Sequence, residues 1–200
     1  MSYFRTMRIH YYFIAFALFF AACSPKYKDP HVEIRTQFGD IEVELYPSKA
    51  PKTVAAFLSY VDSGFYKKGS FYRVLTDDNQ PSDAPKAELI QGGIWKTNHR
   101  KAVSVAGIPH ESTQQTGLLH TNGTISMARM APGTAGTEFF ICMGDQPGFD
   151  YGGANNPDGQ GYAAFGRVVK GMDVAIRVYH QPENDQSFDP AVIIFDIVKL

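Results

Sequence analysis

The side chains best suited to chemistry are a guanidinium and an amide, each set among apolar residues. Arg73 interrupts Phe71-Tyr72-Arg73-Val74-Leu75, and Gln91 opens Gln91-Gly92-Gly93. Strand parity places Phe71, Arg73 and Leu75 on one face, and Leu89 on the same face as Gln91. A guanidinium stays charged and offers a planar fork of donors, so it suits an electron-rich centre that must be held without proton transfer. Taken alone, Arg73 reads as a solvated strand arginine. Other chemistries find no support. His110-Glu111 lacks the second histidine of a zinc-protease helix, because position 114 is Gln. His99, His110 and His120 fall in a loop without ligand spacing and read as surface histidines, so no metal is expected. The Gly- and Asn-rich run from Gly152 to Gly161 is not followed by the Lys-Ser or Lys-Thr of a phosphate loop, and no serine sits in a nucleophile elbow.

These residues need a scaffold of short strands. Val32 to Arg35 and Ile41 to Leu45 alternate apolar and charged around Phe38-Gly39-Asp40, which predicts a hairpin with one buried face. Pro51 opens a helix in which Val54, Phe57, Leu58 and Val61 share a face, and Gly64 ends it. Further β-type runs fall at 70–75, 89–95, 123–129, 137–143, 162–169 and 191–199, with a second helix over 171–179. Many short strands and two helices predict one domain of closed or sandwiched β architecture, and pattern does not choose between barrel and sandwich. Thr76 to Glu88 and Lys96 to Thr121 lack periodicity and read as long loops. For the first, an ordinary surface insertion is favoured over a substrate-recruiting flap.

Five blocks in order, Phe71-Tyr72-Arg73, Gln91-Gly92-Gly93, Gly123 to Arg129, Glu138-Phe139-Phe140-Ile141 and Phe165 to Val174, resemble the cyclophilin family of peptidyl-prolyl cis-trans isomerases. The resemblance covers nearly all of residues 31–200. It implies a mainly β fold, an eight-stranded antiparallel barrel capped by two α-helices, and an enzyme that rotates X-Pro peptide bonds without a cofactor. Rotation breaks amide resonance across about 18–20 kcal/mol. The catalyst therefore needs a dry pocket for the proline ring and donors matched to the twisted amide.

By the same resemblance, Arg73 and Gln91 are the catalytic residues. Leu89, Phe149 and Tyr162 line the pocket, Phe140 is its aromatic floor, and the backbone of Ala128 and Arg129 pairs with the residue before proline. The Arg129 side chain is then free to vary. Glu138 stands where the family has Gln, and is expected to reach Arg73 or else turn towards Arg129 or solvent. Glu88 replaces a pocket Phe. Gly148 aligns with the Trp associated with cyclosporin binding, and Trp95 cannot stand in for it, so weak cyclosporin affinity is expected. These departures support an alternative, a proline-binding chaperone-like module with little turnover. A further alternative is a structural lipoprotein with a filled groove.

The N-terminus reads as an address. Arg5 and Arg8 precede the uncharged apolar stretch Tyr11 to Ala22, too short to span a bilayer, and Phe20-Ala21-Ala22-Cys23 resembles a bacterial lipobox. Residues 1–22 are thus expected to be a lipoprotein signal peptide, Cys23 the lipidated residue, 23–30 a tether, and 31–200 the folded domain. Ser24 to Pro30 spans at most about 25 Å when extended. The implied location is the cell envelope, at the periplasmic face or outer membrane, with proline-containing non-native polypeptides as partners and a monomer as the expected state. Losing residues 1–22 changes 19 basic against 20 acidic residues to 17 against 20, a net charge of −3, with no basic cluster for nucleic acid. Cys142, in an apolar run, reads as a buried, inert thiol.

Overall fold

The computed structural model describes residues 27–200. Residues 1–22, expected to be a signal peptide, and Cys23 lie outside the described residues. Strands β1 (His31–Thr36) and β2 (Gly39–Leu45) form the expected hairpin, with Ile34 opposite Ile41 and Val32 opposite Val43. The chain continues through β3 (Gly69–Leu75), β4 (Leu89–Gly93), β5 (Thr124–Met127), β6 (Phe139–Cys142), β7 (Ala163–Lys170), β8 (Glu183–Asn184) and β9 (Ser187–Lys199). The sheet order is β1-β2-β7-β5-β6-β4-β3-β9, and antiparallel pairing of β9 with β1 closes the ring. This is the closed eight-stranded barrel, and β8 adds only a two-residue hairpin to the start of β9.

Closure leaves one face of each strand for a shared interior. The largest fully buried side chains include Phe57, Tyr66, Phe71, Phe139 and Phe165. Phe139 meets Phe57, Tyr66 and Phe71 edge-on at centroid separations of 5.7–5.9 Å, the geometry that aromatic quadrupoles favour. Helix α1 (Pro51–Asp62) closes one opening by burying Val54, Phe57 and Val61, and Gly64 follows at φ +65°. Its first turn lacks a local side-chain cap. Glu111 supplies one from 58–59 residues away, accepting from the amides of Lys52 and Thr53 and from the Thr53 hydroxyl at 2.7–3.2 Å. The carboxylate meets orphan donors at the positive end of the helix, which gives the His110-Glu111 pair a structural use.

Among the described residues, three shorter α-helices and a 3-10 turn at Pro147–Phe149 complete the fold. The long segment 96–121 contains α2 (His99–Ala102) and α3 (Thr113–Thr116), where a loop without helices was expected, and α4 (Met172–Tyr179) buries Val174, Ala175 and Val178. Packing of the chain begins ahead of β1. The Tyr27 ring stacks on His31 with centroids 3.7 Å apart, and Leu45 donates to the Pro30 carbonyl.

Candidate active site

A bulge in β3 aims the guanidinium. Phe71 pairs with Gly92 of β4, but the next register pair is Arg73 with Gln91, so Tyr72 is an extra residue. The bulge corrects simple parity: Phe71 points into the barrel core, whereas Arg73 and Leu75 face outward beside Gln91 and Leu89. Gly92 and Gly93 make room at this site. A Cβ on Gly92 would fall 2.8 Å from the Phe71 ring, and one on Gly93, at φ +147°, would meet the Glu138 carboxyl.

Three hydrogen bonds fix the fork. Arg73 Nη1 donates to Gln91 Oε1 at 3.2 Å, while Nη2 and Nε donate to Gln186 Oε1 at 2.8 and 3.3 Å. Gln91 Nε2 in turn donates to the Tyr72 hydroxyl at 2.7 Å. Burial pushes the Tyr72 hydroxyl well up from its ordinary pKa, so it stays protonated. A guanidinium carries five N–H groups, so two remain to face the groove. Gln186, which sequence reasoning missed, occupies the hairpin between β8 and β9 at φ +69°. Its own Nε2 is held by the Asn79 carbonyl at 3.1 Å. The Asn184-Asp185 dipeptide signals a turn, but only the β3–β9 pairing shows where that turn lands.

Beside this fork lies a cavity of about 460 Å³. Leu89, Phe140, Phe149 and Tyr162 line it, with ring centroids 5.2–5.3 Å apart among the three aromatics. Ala128 and Arg129 form the opposite rim, and Gln91, Ala128 and Arg129 also border a second cavity of about 420 Å³ reaching to Trp95 and Glu138. The nine expected site residues are therefore brought together around two joined cavities. The arrangement offers a dry aromatic cup for a small ring, flanked by a fixed cationic donor.

A model of the family described as cyclophilin type peptidyl-prolyl cis-trans isomerase matches residues 31–198. The chain belongs to the cyclophilins. It is 38% identical over 152 residues to a peptidyl-prolyl cis-trans isomerase of Acinetobacter baylyi, covering 76% of this chain and 72% of that one. Against peptidyl-prolyl cis-trans isomerase B of Escherichia coli it is 34% identical, with 74% and 82% covered. A crystal structure of a Cryptosporidium parvum cyclophilin superposes with a TM-score of 0.66 at 25% identity, over 86% of this chain and 97% of that one. The same protein in the presence of the dipeptide Ala-Pro gives a TM-score of 0.64, with 84% and 97% covered.

Within the cyclophilin groove, the departures have specific causes. Glu138 reaches neither Arg73 nor Arg129 and is half-buried. Its Oε1 accepts from the amides of Ile94 and Trp95 and from the Thr137 hydroxyl at 2.8–3.1 Å, on the side of the second cavity. Burial still raises its pKa above the ordinary value, because those donors do not fully replace lost water. Glu88 turns out of the groove and accepts from the Tyr179 hydroxyl at 2.7 Å, and Ala87 supplies the pocket wall instead. Gly148 carries no indole. Asn155 packs where its Cβ would be, while Trp95 lines the other cavity.

Two further corrections concern polar residues. The Arg129 side chain is only 1% exposed, so it is not free to vary. It forms a two-pronged ion pair with Asp158, donates to the Gly161 carbonyl, and lies 5.2 Å over the Tyr162 ring, which fixes the loop leading into that residue. The Arg129 guanidinium holds the Asp158 carboxyl down at about 2. His120 is buried, not a surface residue. Its ring stacks behind Phe140, with Nδ1 2.7 Å from Asp150 Oδ1 and Nε2 2.9 Å from Ser126 Oγ. Ser126 is fully buried, so the trio braces the aromatic floor and exposes no nucleophile. Cys142 is also buried, and burial pushes its thiol pKa up, away from the reactive thiolate.

Proposed function

We propose that this cyclophilin rotates X-Pro bonds of exported, partly folded chains, with Arg73 as the donor to the twisted amide and Gln91 as its partner. The observation that carries the reading is the fork of Arg73, pinned by Gln91 and Gln186 at the lip of the Phe140 cup. The proline ring occupies the cup, and the residue before it lies along Ala128 and Arg129. As the amide twists, its nitrogen becomes pyramidal and recovers a lone pair. A charged donor beside it then binds the transition state better than the planar ground state. An acceleration of about 10⁵-fold corresponds to about 7 kcal/mol of such preference. The reaction takes place in place, with no bond made to the protein.

The same reading anchors the protein through acyl chains on Cys23 at the cell envelope, where slow X-Pro isomerisation limits the folding of clients. The short link between Cys23 and the packed Tyr27 holds the domain close to the lipid surface. The binding-only alternative drew on Glu88, Glu138 and Gly148. The first faces away from the cup and the second is tied to backbone amides, which favours turnover. The test is isomerisation of an X-Pro tetrapeptide by the purified full chain in detergent, with fractionation of cells expressing wild type and Cys23→Ala. Acceleration together with membrane release of the variant is expected. An inactive wild type overturns the enzymatic assignment, and a wild type that fractionates as soluble overturns the anchor.

A further inference from the structure

The connection between β3 and β4 is built into the groove. Thirteen residues, Thr76 to Glu88, separate two strands whose Arg73 and Gln91 are register partners. A surface insertion was the favoured reading, but the segment carries an internal frame. The Thr76 amide donates to Asn79 Oδ1 at 2.9 Å, and Gln80 Nε2 bridges the carbonyls of Thr76 and Ala87 at 2.7 and 2.8 Å. Asn155, from the Gly-rich loop across the groove, donates to the carbonyls of Pro85 and Lys86 at 2.9 and 3.3 Å. Gly148 permits that bridge, since any side chain there would collide with Asn155.

Resting on the groove assignment above, we infer that this strap and Asn155 form a subsite that reads the side chain immediately after the proline. The groove assignment sets the direction, because it lays the residue before the proline along Ala128 and Arg129. The two cavities meet there and at Gln91, so a chain whose proline lies on Phe140 has its earlier residues on the Trp95 side. Residues after the proline leave on the other side, towards the strap. There Ala84 and Pro85 face Ala154 and Pro157 across the cavity. At about 460 Å³ that cavity exceeds the needs of one five-membered ring and lies in the range of sites that take larger ligands. Its far walls are small and apolar, which suits an aliphatic side chain. At these walls the amide nitrogens of Gln80 and Asn155 already donate to backbone carbonyls, so a carboxylate would give up water there without gaining a donor, and an acidic side chain is disfavoured.

The experiment compares Ala-Ala-Pro-Leu, Ala-Ala-Pro-Gly and Ala-Ala-Pro-Glu peptides with the full chain in detergent. The wild type should prefer Leu over Gly by about tenfold in kcat/KM, the range that a few methylenes in an apolar pocket supply, with Glu lowest. Replacing residues 77–86 by Gly-Gly should bring the Leu-to-Gly ratio near one, and Asn155→Ala should lower it several-fold, chiefly through KM for the Leu peptide. If the shortened chain fails to fold, Asn155→Ala decides. A wild-type ratio near one, or a ratio that survives both changes, overturns the inference. So does equal acceleration of all three peptides on shortening, which would make the strap a simple obstruction. If the wild type turns over none of the peptides, the isomerase assignment fails separately. Calorimetric affinities for the same peptides then decide the subsite: a tenfold Leu preference lost on shortening supports it, and equal affinities overturn it.

Discussion

Phe139 and Phe140 are neighbours on one strand and belong to different parts of the molecule. Phe139 packs in the sealed barrel among Phe57 of α1, Phe71 of β3 and Tyr66 of the turn that joins them. Phe140 packs with Leu75, Ala87, Leu89 and Phe149 on the outside, and several of its partners arrive on loops. It is backed by the polar trio His120, Ser126 and Asp150. The interior is held by area removed from water. The groove is an apolar surface kept open by polar supports beneath and beside it.

The sharpest way to break that contrast is truncation of each ring. Phe139→Ala opens a void in a sealed core and should cost about 3–5 kcal/mol of stability, read by urea unfolding. Phe140→Ala enlarges a cavity that already lies beside the ring. It should cost less stability, and it should lose most of its acceleration of X-Pro peptides. Equal stability losses with equal activities would erase the distinction. Gln186→Ala comes next. It removes the anchor of two Arg73 nitrogens, and kcat should fall about tenfold, worth about 1.4 kcal/mol, with KM and melting temperature little changed. Rescue by Gln186→Asn would argue that the contact is looser than the 2.8 Å distance indicates.

The first hairpin and helix were legible because their signals are local and periodic: the alternation around Phe38-Gly39-Asp40, the face of Val54, Phe57 and Val61, and Gly64 at the helix end. Closure into a barrel was implied by the family resemblance and not by pattern. The site was legible at Arg73, Gln91 and Phe140 because motif and order carried them. It was not legible where long-range packing decided the outcome. The bulge at Tyr72 breaks strand parity and sends Phe71 inward. Gln186 reaches Arg73 only because β9 pairs with β3. His120 looked like a loop histidine until Ser126 and Asp150 closed around it. Glu88 and Glu138 read as charges in the groove, yet Tyr179 and the amides of Ile94 and Trp95 draw them elsewhere.

Smaller effects sharpen the picture of the groove rim. With Asn155 packed on Gly148 and no indole there, cyclosporin should inhibit only weakly, and nanomolar inhibition in the isomerase assay would contradict this geometry. Glu138→Gln should act on stability more than on rate. Folding raises the Glu138 pKa above its ordinary value of 4.5, so the native state is penalised as pH rises past that value and not below it. The variant should therefore melt a few degrees higher at pH 7, with the gain vanishing below about pH 4.5. A gain that persists at pH 3, or a large rise in kcat, would show that the carboxyl acts in another way.

The central claim is that Arg73 serves the twisted amide and not merely the bound peptide. The direct test is NMR exchange of an X-Pro peptide on the full chain, comparing wild type with Arg73→Ala at matched occupancy. The account predicts that the variant binds the peptide within a few-fold of wild type while on-protein cis-trans exchange slows about 100-fold or more, the scale lost with a charged donor to the transition state. Exchange that continues at the wild-type rate in Arg73→Ala would contradict it.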